Sequence, residues 1–162
     1  MGEKRRNCLF AGTFDPPTLG HKTLVEECLK LFDEVVVAIL INPVKTPCFT
    51  AEQRVEMLRL MFGKEPRVRV VVSERTVTEL MKEENVAFYA RGIRNSIDLD
   101  YENANFYASR KLDPDFSTVY LPCPQELLHV SSSIVRNSLR FGTPIDEYVT
   151  DEVKAYILTL KK

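Results

Sequence analysis

The chain has 162 residues, enough for one domain with a sizeable core and too few for two. Its 44% hydrophobic and 28% charged residues are those of a soluble globular protein, and no apolar run approaches the roughly 20 residues that span a bilayer. A net charge of −1 gives no electrostatic case for a nucleic-acid or membrane partner, so any phosphate site must be a local basic cluster.

In chain order, the charged N-terminus precedes only a short apolar strand and does not read as a signal peptide. Nor does it suit myristoylation, because Arg6 stands where Ser or Thr is wanted. A cytoplasmic protein is expected. Strands are predicted over 6–11, 34–41, 67–72, 87–91 and 117–121 from apolar, β-branched runs. Helices are predicted between and after them, over 19–32, 51–61, 77–84, 96–111, 132–141 and 151–160. Thr50 with Gln53 and Thr76 with Glu79 form capping boxes that mark two of the starts. Cys8, Cys28, Cys48 and Cys123 have no C-x-x-C or metal-like spacing and read as free thiols.

Strand–helix alternation of this kind implies a doubly wound, Rossmann-like α/β fold: a five-stranded parallel sheet with helices on both faces. Residues 1–162 read as a single domain, with the last helix packing as an appendage. Ligands of such sheets bind beyond the carboxyl ends of the strands. Each chemistry-bearing motif follows a predicted strand and so converges on that edge.

The segment Gly12-Thr13-Phe14-Asp15-Pro16-Pro17-Thr18-Leu19-Gly20-His21 joins the first strand to the first helix. A helix N-terminus offers free N–H groups and a positive dipole end, a natural phosphate seat. Thr18 can cap the helix, Gly20 leaves its second position open to a phosphate, and His21 follows within reach. Lys45, between Pro43 and Pro47, is either a solvated loop lysine or a point charge for a phosphate. In Arg91-Gly92-Ile93-Arg94 two guanidinium groups suit forked contacts to phosphate, or ion pairs with Glu102 and Asp98. Ser131-Ser132-Ser133 before a helix provides a cap and, beyond one serine, hydroxyls for a second phosphate cradle. No H-E-x-x-H, Ser-His-Asp or G-x-x-x-x-G-K-S/T arrangement competes, and two histidines with scattered cysteines do not suggest a zinc site.

The first motif resembles the G-T/S-F-D-P-x-T-x-G-H signature of the T/H-x-G-H nucleotidyltransferases. With Thr18 at the T/H position it looks like the phosphopantetheine adenylyltransferase family. Asn-Pro-Val-Lys-Thr-Pro-Cys-Phe-Thr is similar to that family's S/N-P-x-K-x-P-x-F-T segment, Arg91–Arg94 to its R-G-x-R, and Val130–Ser133 to its I-S-S-S/T. Asp98-Leu99-Asp100-Tyr101-Glu102 matches D-x-x-Y-E, whereas Lys22-Thr23-Leu24 departs from the usual residues after the histidine. Asn105 and Ser109 would lie on a helix lining the pantetheine pocket.

The resemblance implies transfer of AMP from ATP to 4′-phosphopantetheine, giving dephospho-coenzyme A and pyrophosphate, with magnesium accompanying ATP. It implies His21 and Lys45 as catalytic residues. It implies ATP contacts from Thr13, Phe14, His21, Gly92, Ile93, Arg94 and Glu102. Leu127, Leu128, His129, Val130, Ser131, Ser132 and Ser133 would form the remaining ATP-binding run. Thr13, Lys45, Val77 and Arg91 would hold the acceptor. Coenzyme A as a feedback ligand and a homohexamer are also implied. Alternatives are a nicotinate mononucleotide adenylyltransferase, a glycerol-phosphate cytidylyltransferase, or a non-catalytic ATP sensor that needs neither His21 nor Lys45.

Overall fold

A computed structural model describes residues 6–160, so the charged stretch before Arg6 lies outside the described residues. The alternation resolves into β1 (Asn7–Gly12), α1 (Leu19–Leu31), β2 (Glu34–Leu40), α2 (Ala51–Phe62), β3 (Val68–Ser73) and α3 (Val77–Glu83). It continues through β4 (Phe88–Ile93), α4 (Ser96–Leu112), β5 (Ser117–Pro122), one 3-10 turn (Gln125–Leu127), α5 (Ser132–Phe141) and α6 (Asp151–Leu160). The sheet is parallel throughout, in the order β3-β2-β1-β4-β5. The chain therefore reverses direction across the sheet between β1 and its neighbour β4, and the crevice above that pair is where such folds bind ligands.

The period-two pattern of β2 divides the core. Val35, Val37 and Ile39 point to one face, into the larger cluster with α1, α2, α5 and α6; Val36 and Ala38 point to the other, with Leu80, Met81 and Phe116. Helix α6, read from the sequence as a packing appendage, is part of the larger core: Val153 and Ile157 are 0% and 1% exposed. Both predicted capping boxes form, Thr50 Oγ1 accepting from the Gln53 amide at 3.2 Å and Thr76 Oγ1 from the Glu79 amide at 3.3 Å. Helix α4 buries only Glu102, and Ile97, Tyr101, Tyr107 and Leu112 along it are largely exposed. No described helix is long and apolar enough to cross a membrane. The four cysteines are free, with Cys8 on β1 and Cys28 on α1 both buried.

Candidate active site

The turn from β1 to α1 is held from four sides. Arg91 Nη1 donates to the Ala11 carbonyl at 2.8 Å, and Arg54 Nη1 to the Thr13 carbonyl at 2.9 Å. Arg136 Nη1 donates to the Asp15 carbonyl at 2.7 Å, and Ser132 Oγ to the Pro16 carbonyl at 2.7 Å. The Asp15 carboxylate accepts from the Cys48 and Phe49 amides at 2.8 and 2.9 Å, tying the turn to the loop before α2. These contacts hold Phe14 at φ 51°, a left-handed conformation that costs a bulky residue about 1–2 kcal/mol. Its ring is driven inward, 2% exposed, between Phe10 and the edge of His21. Phe14, expected among the ATP contacts, therefore offers a ligand only its backbone.

His21 is the third residue of α1. Its Nδ1 accepts from the Thr18 amide at 3.0 Å and lies 3.0 Å from Thr18 Oγ1. A nitrogen that accepts an amide proton carries none itself, so the ring proton is on Nε2 and the imidazole is neutral. Burial first, then the charges of Arg91 and Arg94, lower its pKa to about 4. In the free protein His21 is therefore an uncharged Nε2–H donor. At Gly20 an added Cβ would meet only Thr18 Oγ1 at 3.6 Å and the Val130 carbonyl at 3.9 Å, ordinary contacts. Packing does not require glycine there.

Strand β4 runs two residues further than the pattern predicted, so Gly92 and Ile93 as well as Arg91 lie within it. Arg91 Nε and Nη2 donate to Glu102 Oε1 at 2.9 and 2.6 Å, and with the Ala11 bond this uses three of its five N–H donors. Arg94 pairs with Asp98, Nε to Oδ2 at 3.0 Å. The ion pairs that the sequence allowed as an alternative to phosphate binding both form, but inside the cleft. Gly92 packs closely against the protein itself: a Cβ there would stand 2.3 Å from Leu24 Cδ1 of α1, which would have to shift.

Three cavities adjoin along this edge. The first, of about 370 Å³, is lined by Gly20, His21, Gly92, Arg94, Leu127, Val130, Ser131 and Ser132. The second, of about 630 Å³, is lined by Val77, Tyr89, Asn105, Phe106, Ser109 and Leu112, and is the more apolar. Arg91, Tyr101 and Glu102 line both, so one guanidinium stands at their junction. The third, of about 440 Å³, lies beyond Thr13 and contains Lys45, Asp15, Arg54 and Arg136.

The site residues read from the sequence are therefore not all gathered in one place. Lys45 is exposed on the loop between β2 and α2, in the third cavity rather than beside His21. Thr13 lies between the second and third cavities. Ile93, Leu128, His129 and Ser133 do not line the His21 cavity; Leu128 and His129 are exposed, with the His129 ring 6.1 Å from Tyr148, and Ser133 Oγ accepts from Arg136. Two serines serve structure as well, Ser131 Oγ capping α5 at the Ile134 amide and Ser132 bonding Pro16.

Sequence reasoning missed Arg54 and Arg136. Arg136 had a faint signal, one turn after the serines. Arg54 had a clearer one: it occupies the 54, 57, 58, 61 stripe that α2 buries, where a charge is out of place.

The cytidylyltransferase-like family model matches residues 9–138. The chain is 38% identical to the phosphopantetheine adenylyltransferase of Flavobacterium johnsoniae over 149 residues, covering 92% of this chain and 97% of that protein. It is 39% identical to that of Symbiobacterium thermophilum over 138 residues, 85% of each chain, and 38% identical to that of Streptococcus pneumoniae over 155 residues, 95% and 96%. A solved Vibrio parahaemolyticus structure, described as a candidate nicotinate-nucleotide adenylyltransferase, shares the fold with a TM-score of 0.71 at 22% identity, over 96% of this chain and 93% of that one.

Proposed function

The chain belongs to the phosphopantetheine adenylyltransferase family, and from that premise we propose that it transfers AMP from ATP to 4′-phosphopantetheine in coenzyme A synthesis. The observation that carries the reading is the junction of two unlike cavities at Arg91. The less apolar cavity, with a helix N-terminus, two serines and a neutral imidazole, suits a nucleotide. The larger, more apolar one suits an extended acceptor, with Val77 on its wall.

The acceptor phosphate is already anionic, so an oxygen of it attacks the α-phosphorus without a general base. One P–O bond forms, the α–β P–O bond breaks, and its electron pair leaves with pyrophosphate. Catalysis reduces to alignment and to stabilising charge on the α-phosphoryl oxygens. His21 Nε2–H donates to that group, held in aim by the Thr18 amide on Nδ1. The two N–H donors that Arg91 has left over, one on each terminal nitrogen, receive the acceptor phosphate at the junction. Lys45, with a flexible four-carbon stem, reaches over Thr13 as a point charge. Leu127, Val130, Ser131 and Ser132 hold the nucleotide end.

Magnesium belongs to the same proposal. Among the described residues no group of three or more His, Cys, Asp or Glu side chains could hold a metal, and Glu102 and Asp98 are engaged by arginines. This donor set fits an ion carried by substrate phosphates and water, supplying charge neutralisation. Self-association, to the homohexamer the family resemblance implies, is supported by the exposed Ile97, Tyr107 and Leu112 of α4. Coenzyme A, which shares the acceptor's chemistry, is the proposed feedback ligand. The deciding experiment is pyrophosphate release from ATP with 4′-phosphopantetheine, nicotinate mononucleotide or glycerol 3-phosphate offered separately. Turnover is expected with the first alone, and comparable rates with another acceptor refute the assignment.

A further inference from the structure

Lys45 enters the transfer from a loop, and its side chain is exposed on a flexible stem. Whatever precision the ammonium has must therefore come from the backbone beneath it. That backbone is held at both ends. At the start, the Asn42 carbonyl accepts from the Lys45 amide at 3.1 Å and Asn42 Oδ1 from the Val44 amide at 3.0 Å, a turn that Pro43 stiffens. At the end, beyond Pro47, the Cys48 and Phe49 amides precede the Thr50 cap of α2 and take no part in its ladder. Both donate to the Asp15 carboxylate, to Oδ2 at 2.8 Å and to Oδ1 at 2.9 Å.

Asp15 is 6% exposed and shares its cavity with Lys45, Arg54 and Arg136, yet among the described residues it makes no ion pair. Its two oxygens are directed to loop amides rather than to a cation. Arg54 braces the same two segments: its Nη1 donates to the Thr13 carbonyl at 2.9 Å and its Nε to the Thr50 carbonyl at 3.3 Å. Three bonds thus join the Lys45 side to the His21 side, across separations of 33, 34 and 41 residues, so the loop and the turn move as one piece.

We infer that Asp15 is a positioning residue for Lys45. Its carboxylate ties the end of the Lys45 loop to the turn that leads into the His21 helix, so that ammonium and imidazole keep one separation across the group being transferred. An asparagine in its place has one acceptor oxygen and turns an N–H2 donor on the second amide, which frees one end of the loop. The inference rests on the adenylyltransferase reading, which gives Lys45 its part in the transfer.

Steady-state kinetics of Asp15→Asn, Lys45→Ala and the double variant test it, with ATP affinity measured by calorimetry. Asp15→Asn should lower kcat about tenfold to a hundredfold, because a misplacement near 1 Å costs about the latter, while ATP binds as in the wild type. The double variant should be no slower than Lys45→Ala, since a lysine already out of place has nothing more to lose. A merely structural tie would instead spare kcat while lowering Tm, or multiply the two losses. If Asp15→Asn does not fold, Cys48→Pro carries the same cycle, deleting one amide donor at an exposed position. Losses that multiply, an Asp15→Asn variant as fast as the wild type, a loss confined to ATP affinity, or a Lys45→Ala variant with full activity would each overturn the inference. Failure of the adenylyltransferase reading would show separately, as absence of turnover by the wild-type protein with 4′-phosphopantetheine, and would overturn this inference with it.

Discussion

Replacing Gly20 by alanine separates what the fold needs from what the ligand needs. Gly20 is the second residue of α1, and an added Cβ meets nothing closer than Thr18 Oγ1 at 3.6 Å. No protein atom has to move. Alanine is the better helix former and restricts the unfolded chain, so Gly20→Ala should hold or raise stability by about 0.5–1 kcal/mol. For a domain of this size that is roughly 1–4 °C in Tm. The same methyl group occupies the space through which a phosphate reaches the free amides of the first helical turn. Loss of a charge-assisted hydrogen bond there costs about 1.5–3 kcal/mol, so ATP should bind about tenfold to 150-fold more weakly. Calorimetry with ATP and a thermal melt on the same preparation read the two effects with opposite signs. Unchanged ATP affinity would refute the phosphate seat, and a Tm lowered by several degrees would show that packing, not ligand access, requires glycine.

His21→Ala should leave the protein folded and ATP bound but lower kcat about a hundredfold or more, since its Nε2–H serves charge that develops in the transfer; equal losses in rate and ATP affinity would reduce it to a binding residue. In the free protein, NMR titration should find the His21 imidazole neutral down to about pH 4, with ATP raising that value. Because the folded-state pKa lies below the unfolded one, stability from this group is present above about pH 6.5 and declines toward pH 4; titration near 6.5 in the free protein would contradict it. Arg91→Ala should weaken 4′-phosphopantetheine more than ATP and also lower Tm, by stranding the buried Glu102 carboxylate. Adding Glu102→Gln should restore much of the Tm but not acceptor affinity, and recovery of both would remove Arg91 from the acceptor site. Gly92→Ala should destabilise by about 1–3 kcal/mol through overlap with Leu24, and shortening Leu24 to alanine in that background should relieve part of it by thermal melt.

The elements were legible because their signals are local. The unbroken apolar run in 34–41 gives β2, buried on both faces, which separate residue by residue. Thr50-x-x-Gln53 and Thr76-x-x-Glu79 mark helix starts through bonds made within one turn. The motif Gly12–His21 placed a histidine at a helix N-terminus by counting alone. The sequence pattern ends β4 at Arg91 because glycine is a poor strand residue, and only pairing of Gly92 and Ile93 with Leu121 and Pro122 on β5 extends it.

What the sequence determined, then, is whatever depends on residues a few positions apart: element order, the caps, the parallel sheet, and which motifs lie at its carboxyl edge. What only the tertiary structure decided depends on groups far apart in the chain. The neutral state of His21 comes from burial together with Arg91 and Arg94, some 70 residues away by number. Phe14 turns inward because Arg54, Cys48, Phe49, Ser132 and Arg136, from three other segments, hold its loop. Lys45 stands across Thr13 from His21, and Arg54 and Arg136 join it, because a doubly wound sheet folds three separated stretches onto one edge. Charges and hydrogen bonds act through space, and spacing along the chain does not encode distance between elements.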